Sequence, residues 1–175
     1  MIMLILGVDP GLRATGYGIV EGSSKGVRLV DCGLIRTSDG APFAHRLHAI
    51  HRDISLILSQ HTLSAIAIED LYAAPRFPRT AIVMGHVRGV VCQAAAACDV
   101  TVLSLPPAAV KRAIAGFGAA SKGQMQLAVQ RLFGRPSPLD SHSADAIGIA
   151  LVALSREGVP FRAATVVPAP ARVGI

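Results

Sequence analysis

Apolar residues follow two different spacings along this chain, and the spacing changes from segment to segment. Leu4 to Asp9 is a short apolar run that ends in Asp-Pro-Gly, which is typical of a buried strand that stops at a turn. Gly16–Glu21 and Val27–Arg36 are predicted as two further strands, joined by a hairpin rich in glycine and serine. Between Pro42 and Gln60 the apolar residues recur at intervals of three and four, which predicts a helix with one apolar face.

The rest of the chain alternates strand and helix patterns. Two strands are predicted at Ser64–Glu69 and Val100–Leu105, and four helices at Thr80–Ala97, Ala108–Ala115, Met125–Phe133 and Ser141–Arg156. The segment from Ser121 to Gln124 matches a capping box at the start of the third of these helices. This order predicts an α/β fold with a five-stranded mixed sheet flanked by helices. Residues 1–157 form the predicted domain, and residues 158–175, rich in alanine, proline and valine, a mobile tail.

The composition limits the class of protein. With 51% hydrophobic and 16% charged residues, the chain has the content of one folded domain and not of a disordered polymer. Its apolar stretches fall short of the roughly 18 residues that a membrane-spanning helix needs, and its start lacks the features of a signal peptide, so we expect a cytoplasmic protein. The formal net charge of +6 favours an acidic partner.

The basic residues are concentrated in one part of the sequence. Between Leu71 and Leu139 a single acid, Asp99, stands against eight bases. These bases are Arg76, Arg79, Arg88, Lys111, Arg112, Lys122, Arg131 and Arg135. We expect Arg88 and Arg131 to lie on solvated helix faces, while the regional excess indicates a surface that binds phosphates.

Three acidic residues stand out by their position. Asp9 ends the first predicted strand and Glu69 ends the fourth. Asp145 lies near the start of the last helix, three residues after His142, so both side chains point from one helical face. Three carboxylates and an imidazole from separate segments can bind a divalent cation. An acidic site surrounded by bases is typical of a metal-dependent nuclease.

Other interpretations of these residues stay open. Asp9 can cap its turn, Glu69 can face solvent, and the segment that starts at His142 can simply open a helix whose dipole favours acids. A competing metal candidate is a histidine cluster in the first predicted helix, although its spacing of three places the side chains on drifting faces. Its members are His45, His48 and His51.

Five short blocks of sequence stand out between residues 7 and 146. They are Gly7 to Gly18 (GVDPGLRATGYG), Ala67 to Tyr72 (AIEDLY), Gly85 to Gly89 (GHVRG), Val110 to Gly118 (VKRAIAGFG) and Ser143 to Ala146 (SADA). In this order they resemble the RuvC-type Holliday junction resolvases. The resemblance implies a ribonuclease H-like fold and a bacterial homodimer that binds four-way DNA junctions. It also implies symmetric, metal-dependent cutting of two strands during recombination and repair, with a branch-migration complex of the RuvA and RuvB type as partner.

The resemblance also assigns metal ligands. Asp9, Glu69 and Asp145 match the metal-binding carboxylates of that family, and His142 falls on a fourth ligand position where members carry aspartate or histidine. We expect two cations, Mg²⁺ or Mn²⁺, roughly 3.5–4 Å apart, to activate a water and to stabilise the leaving 3′ oxygen, with Asp9 as the bridging ligand. A neutral imidazole in place of a carboxylate softens the site, which favours Mn²⁺ over Mg²⁺.

The predicted DNA-binding residues surround that site. Lys111 and Lys122 match family positions that contact DNA near the scissile phosphate, and we add them to the four metal ligands as predicted catalytic residues. Plain phosphate anchoring is an equal alternative for both lysines. Tyr72 matches an aromatic near the junction centre, and with Phe77 it borders a basic loop where rings can stack on unpaired bases. Core packing is an equal alternative for Phe77. The predicted DNA-binding set is Tyr72, Arg76, Phe77, Arg79, Lys111, Arg112 and Lys122.

Three other functions remain alternatives. The Asp9-Pro10-Gly11 turn also fits an actin-like ATPase, although 175 residues supply only one of the two lobes that enclose the nucleotide. The chain could also be a catalytically silent junction-binding module, or a relative that processes RNA. Cleavage of a four-way junction beside linear duplex and structured RNA separates these alternatives.

Overall fold

The computed structural model describes residues 2–71, 78–134 and 139–159. Its strands are β1 (Met3–Asp9), β2 (Ala14–Ser23), β3 (Gly26–Arg36), β4 (Ala65–Glu69) and β5 (Val102–Leu105). Its helices are α1 (Phe43–Gln60), α2 (Pro78–Ala96), α3 (Pro107–Ala115), α4 (Lys122–Leu132) and α5 (Ser141–Arg156). The predicted mobile tail lies outside the described residues from position 160 onward.

Every predicted strand and helix is present, and the differences are confined to the ends. β2 is longer than predicted because it pairs with β3 over its whole length. α4 begins at Lys122, directly after its cap, and the predicted capping box is confirmed. Ser121 Oγ accepts from the Gln124 amide at 3.3 Å, and the Gln124 side chain accepts from the Ser121 amide at 2.9 Å.

The sheet brings two of the predicted acids to one edge. The strand order is β3-β2-β1-β4-β5. β2 is antiparallel to both β1 and β3, whereas β4 is parallel to β1 and β5 is parallel to β4, which confirms the predicted mixed sheet. Val8 pairs with Ile68 across the parallel β1–β4 ladder. The next residues, Asp9 and Glu69, therefore lie at neighbouring strand ends, where α/β sheets commonly place their sites.

Helices cover both faces of the sheet. Successive strand residues point to opposite faces, so Ile5 packs into the core that contains Ile147 of α5. Leu6 packs on the other side, in the core that contains Ile54 of α1 and Val87 of α2. The two cores make the sheet a rigid layer that holds the residues at the ends of its strands.

Two glycines allow α5 to lie directly on the sheet near those strand ends. A Cβ atom on Gly7 would lie 1.9 Å from the Ala146 carbonyl oxygen, and one on Gly16 would lie 2.1 Å from the His142 carbonyl oxygen. Both distances are far below van der Waals contact, so any larger residue would push the helix away. The absence of these two side chains places the N-terminal part of α5 over the end of β1.

Candidate active site

A cleft of about 620 Å³ opens at the ends of β1 and β4. All six predicted catalytic residues line it, and they come from two strands and three helices. They are Asp9, Glu69, Lys111, Lys122, His142 and Asp145. The cleft also has an apolar wall, formed by side chains that include Leu12, Val83, Met84, Val110, Met125 and Ile149.

A hydrogen bond between β1 and α5 joins two of the residues that line the cleft. Asp9 is the last residue of β1 and is 8% exposed. Its Oδ2 lies 2.7 Å from His142 Nδ1. The Asp140 side chain caps α5 by accepting from the main-chain amide of His142 at 2.9 Å, and this cap fixes the start of the helix. Asp145 follows His142 by three residues and shares its face of the helix.

The loop after Asp9 is held by side chains that the sequence patterns did not indicate. Thr15 is fully buried, and its hydroxyl donates to the Gly11 carbonyl at 2.8 Å. The Thr37 hydroxyl and Arg46 Nη2 both donate to the Leu12 carbonyl, at 2.6 and 3.3 Å. Arg46 comes from α1 and also lines the cleft. Its role depends on a turn and a helix that lie far apart in the sequence, so no local motif could reveal it.

Burial and mutual repulsion raise the pKa values of two carboxyls in the cleft. The pKa of Glu69 is raised to about 7 by burial, then by the charges of Asp9 and Asp145. The pKa of Asp145 is raised to about 6 by burial and then by Asp9. Glu69 is half-buried at the end of β4, so it does not simply face solvent. Protonation or a cation would relieve the repulsion among the three acids.

The lysines of the cleft act on the same carboxyls. Lys111 lies in α3, and Lys122 is the first residue of α4. Both positive charges lower the pKa values of Glu69 and Asp145, and so partly oppose the repulsion. The cleft therefore combines clustered acids with two cations, as the charge pattern of the sequence predicts.

The donor set fits a divalent cation in kind and in charge. Three carboxylates and an imidazole are suitable ligands, and burial together with the neighbouring acids raises the pKa values of Glu69 and Asp145. The side chains do not form a preformed metal site. Within the three described ranges, no three His, Cys, Asp or Glu side chains are grouped so that they could hold a metal ion as they stand, and this includes the histidine cluster of α1.

The remaining predicted residues fall into three groups. Arg79 lines the cleft, whereas Arg112 is exposed on α3 and is not part of the cleft lining. Tyr72, Arg76 and Phe77 lie outside the described residues. Arg131 is exposed, as predicted.

The prediction that Arg88 lies on a solvated helix face is wrong. This side chain is only 18% exposed, and it binds the end of β4 instead of facing solvent.

Comparison with known proteins identifies the family. The sequence profile described as crossover junction endodeoxyribonuclease RuvC matches residues 5–153. The chain belongs to the RuvC family. A RuvC crossover junction endodeoxyribonuclease from Pelotomaculum thermopropionicum is 41% identical over 150 residues, which cover 85% of this chain and 91% of that protein.

Solved RuvC structures agree with this assignment. The structure of Thermus thermophilus RuvC superimposes with a TM-score of 0.77 at 32% identity, covering 90% of this chain and 98% of that one. A structure of T. thermophilus RuvC in complex with Holliday junction substrate gives a TM-score of 0.76 at 31% identity, with coverages of 89% and 96%. The ribonuclease H-like fold predicted from the sequence is confirmed.

Membership of the RuvC family confirms the predicted class of nuclease. Dependence on a divalent metal follows from the same assignment, and the actin-like ATPase alternative finds no support. The roles of the individual cleft residues stay predictions. None of the helices in the described part of the chain has the length and apolarity to cross a membrane.

Proposed function

We propose that this chain resolves four-way DNA junctions by hydrolysing phosphodiester bonds in the cleft at the ends of β1 and β4. The observation that carries the proposal is the convergence of the six predicted catalytic residues on that one cleft. The related T. thermophilus RuvC was solved with Holliday junction substrate, which supports branched DNA as the ligand. An acidic centre with flanking lysines suits a phosphate backbone that is held by cations and cut with metal.

In this proposal two divalent cations, Mg²⁺ or Mn²⁺, are bound by the acids and the imidazole of the cleft. Asp9 would be a ligand of both, Glu69 of one, and Asp145 and His142 of the other. The bound metal would supply an activated water and charge stabilisation at the leaving 3′ oxygen. The position of Asp9 at the end of the central strand supports its bridging role, because hydrogen-bonded strands on both sides restrict its movement.

The other side chains of the cleft position the DNA strand. Lys111 and Lys122 lie close enough to the acids to alter their pKa values, so they can also neutralise a phosphate brought to the same place. Arg79 lines the cleft and would anchor a neighbouring phosphate, together with the exposed Arg112. The apolar wall that includes Met84 would exclude bulk water from the reacting phosphate.

We also propose that the active form is a homodimer. The described part of each chain has one such cleft, so paired incisions in a four-way junction require two copies. A second groove of about 430 Å³, away from the cleft, is lined by residues of α1 and α2 that include Leu47, Ile82, Gly85, His86 and Gly89. Ile82 is 62% exposed there, and the two glycines let another backbone approach closely. A second copy of this chain is the occupant that we assign to the groove.

The proposed cellular partners follow from family membership alone. A bacterial resolvase of this kind acts with a branch-migration complex of the RuvA and RuvB type, in the cytoplasm.

Cleavage of defined substrates tests the function. With Mn²⁺ or Mg²⁺, we expect the protein to cut a synthetic four-way junction into paired nicked duplexes, and to leave linear duplex and structured RNA largely intact. Asp9→Asn should retain junction binding in metal-free buffer and lose cleavage. Asp99→Asn is the matched control, because Asp99 is exposed and its positive φ of 54° is one that asparagine tolerates.

Two outcomes would contradict the proposal. Unaltered cleavage by Asp9→Asn would place the chemistry elsewhere. Tight junction binding by the parent protein without cleavage in either metal would instead favour the silent binding module.

A further inference from the structure

Arg88 of α2 binds the strand end that carries Glu69. Its Nη1 donates to the main-chain carbonyl oxygen of Glu69 at 2.6 Å, and its Nη2 donates to Ser104 Oγ at 2.5 Å. Nη2 also lies 3.4 Å from Asp70 Oδ1. One guanidinium thus joins a helix to the ends of two strands, because its planar fork presents several donors in fixed directions.

The peptide group between Glu69 and Asp70 is held from both sides. Its carbonyl accepts from Arg88, and its amide N–H donates to the Leu105 carbonyl of β5 at 2.8 Å. Rotation of this peptide would break both hydrogen bonds. The backbone at Glu69 is therefore fixed, and with it the direction in which the Glu69 side chain leaves β4.

The same arginine connects Glu69 to α2, other residues of which also line the cleft. Thr80, Met84 and Arg88 follow one another at intervals of four, so they share a face of α2. Thr80 and Met84 line the cleft, and Arg88 extends that face to the end of β4. A movement of α2 would reach Glu69 through this side chain.

We propose that Arg88 is a positioning residue, which holds Glu69 in the orientation in which its carboxylate binds a divalent cation. This inference rests on the proposed function of the cleft. Arg88 itself is assigned no contact with metal or DNA. Loss of a partner that orients a metal ligand typically lowers metal affinity or activity about 10- to 100-fold.

Arg88→Gln tests the proposal because it removes the charge and the fork while keeping a polar side chain. We expect the variant to bind Mn²⁺ alone about tenfold more weakly, as measured by titration of the metal-free protein with electron paramagnetic resonance. Cleavage of a four-way junction should slow by a similar factor, with unchanged junction affinity in metal-free buffer. Main-chain amides of residues 65–71 should exchange faster with deuterium. Arg88→Lys keeps the charge without the fork and should recover only part of the loss.

Two further variants separate positioning from general effects. Arg52→Gln removes the same charge from an exposed site on α1, where Arg52 pairs with the adjacent Asp53, and should leave Mn²⁺ affinity unchanged. Ser104→Ala removes one acceptor of Arg88 and leaves its bond to Glu69, so we expect a smaller loss of Mn²⁺ affinity than in Arg88→Gln.

The outcomes are distinguishable from one another. The proposal would be overturned if Arg88→Gln bound Mn²⁺ as tightly as the parent protein and cleaved junctions at the same rate per folded molecule. If Arg88→Gln does not fold, the Mn²⁺ affinities of Arg88→Lys and Ser104→Ala test the proposal instead. Parental Mn²⁺ affinity in both of these variants would also overturn it. A parent protein that binds Mn²⁺ but leaves four-way junctions uncut would contradict the proposed function, while the Mn²⁺ comparison would still test Arg88.

Discussion

Asp9 and His142 are 133 positions apart in the sequence and meet through one hydrogen bond of 2.7 Å. That bond is the main reason why the pKa of His142 is raised above its ordinary value of 6.5. A metal cation would compete with this proton for the imidazole, since a ligand histidine must be neutral. The same contact engages one of the two oxygens of Asp9 and one of the two ring nitrogens of His142.

The imidazole predicts a metal preference. His142→Asp replaces a borderline nitrogen ligand with a hard oxygen, which suits Mg²⁺ better. We expect the ratio of the junction cleavage rate in Mn²⁺ to that in Mg²⁺ to fall severalfold in this variant. His45→Asp, a substitution on the exposed side of α1, serves as the control and should keep the parental ratio. An unchanged ratio of the Mn²⁺ rate to the Mg²⁺ rate in His142→Asp would contradict the prediction.

Glu69 predicts a pH dependence of stability in the metal-free protein. Its pKa is raised from 4.5 to about 7, first by burial and then by Asp9 and Asp145. The folded state therefore binds this proton more tightly than the unfolded state does. Its contribution favours folding below about pH 4.5, is lost progressively as the pH rises to about 7, and is absent above that. Each pKa unit corresponds to about 1.4 kcal/mol, so the change is on the order of 3 kcal/mol.

Urea unfolding in a chelator between pH 4.5 and pH 8 measures this dependence. Glu69→Gln should flatten the decline in the free energy of unfolding with rising pH. A part of the slope should remain from Asp145, whose pKa is raised to about 6. Glu157→Gln, at an exposed position after α5, should keep the parental slope. The same slope in Glu69→Gln as in the parent would show that this carboxyl is not the source.

Among the elements, α5 controls the site most directly, because it carries two of the four predicted ligands. Its distance from the sheet depends on Gly16, where a Cβ atom would lie 2.1 Å from the His142 carbonyl oxygen. Gly16→Ala must push α5 away from β2. Overpacking of this kind typically costs about 1–3 kcal/mol of stability. A shift of the ligands should lower cleavage by more than the loss of folded protein explains.

Chemical unfolding and junction cleavage of the Gly16→Ala protein check this prediction together. Gly40→Ala is the matched control, because a Cβ atom there meets nothing within 4 Å. Stability and cleavage that match the parent in Gly16→Ala would mean that α5 does not depend on this close approach.

The sequence predicts the elements better than the contacts between them. Strand ends at Asp9 and Glu69 are visible in local apolar patterns, and their adjacency follows once the strands are taken as parallel neighbours. Arg88 is different, because the period of α2 gives no sign that one of its arginines reaches a carbonyl on β4. Arg46 was missed for the same reason. Such contacts depend on tertiary packing, which local patterns do not encode.

At the scale of the whole molecule, the charge of the chain bears on DNA binding, and its symmetry in a dimer bears on paired cutting. The net charge of +6 favours a polyanion, but the acids of the cleft need cations close by. Lys111 and Lys122 line the cleft, and in the proposed function they supply these cations beside the DNA strand. They do not explain how two strands are cut in concert. Coordination of two incisions requires a second cleft, and in the proposed homodimer the groove between α1 and α2 is the surface where the second copy would bind.

Ile82→Glu tests this interface by placing a charge in the groove. We expect the variant to sediment as a monomer at concentrations where the parent is a dimer, because a buried unpaired carboxylate is costly. Each cleft would remain intact, so the variant should nick single strands of a junction and accumulate singly nicked product. Leu56→Glu is the control, because Leu56 is 56% exposed and lies outside the groove. It follows Leu47 by nine residues, about two and a half turns of α1, and so lies on the opposite side of that helix. It should stay dimeric and cut in pairs. A dimeric Ile82→Glu protein with paired incisions would move the interface to another surface.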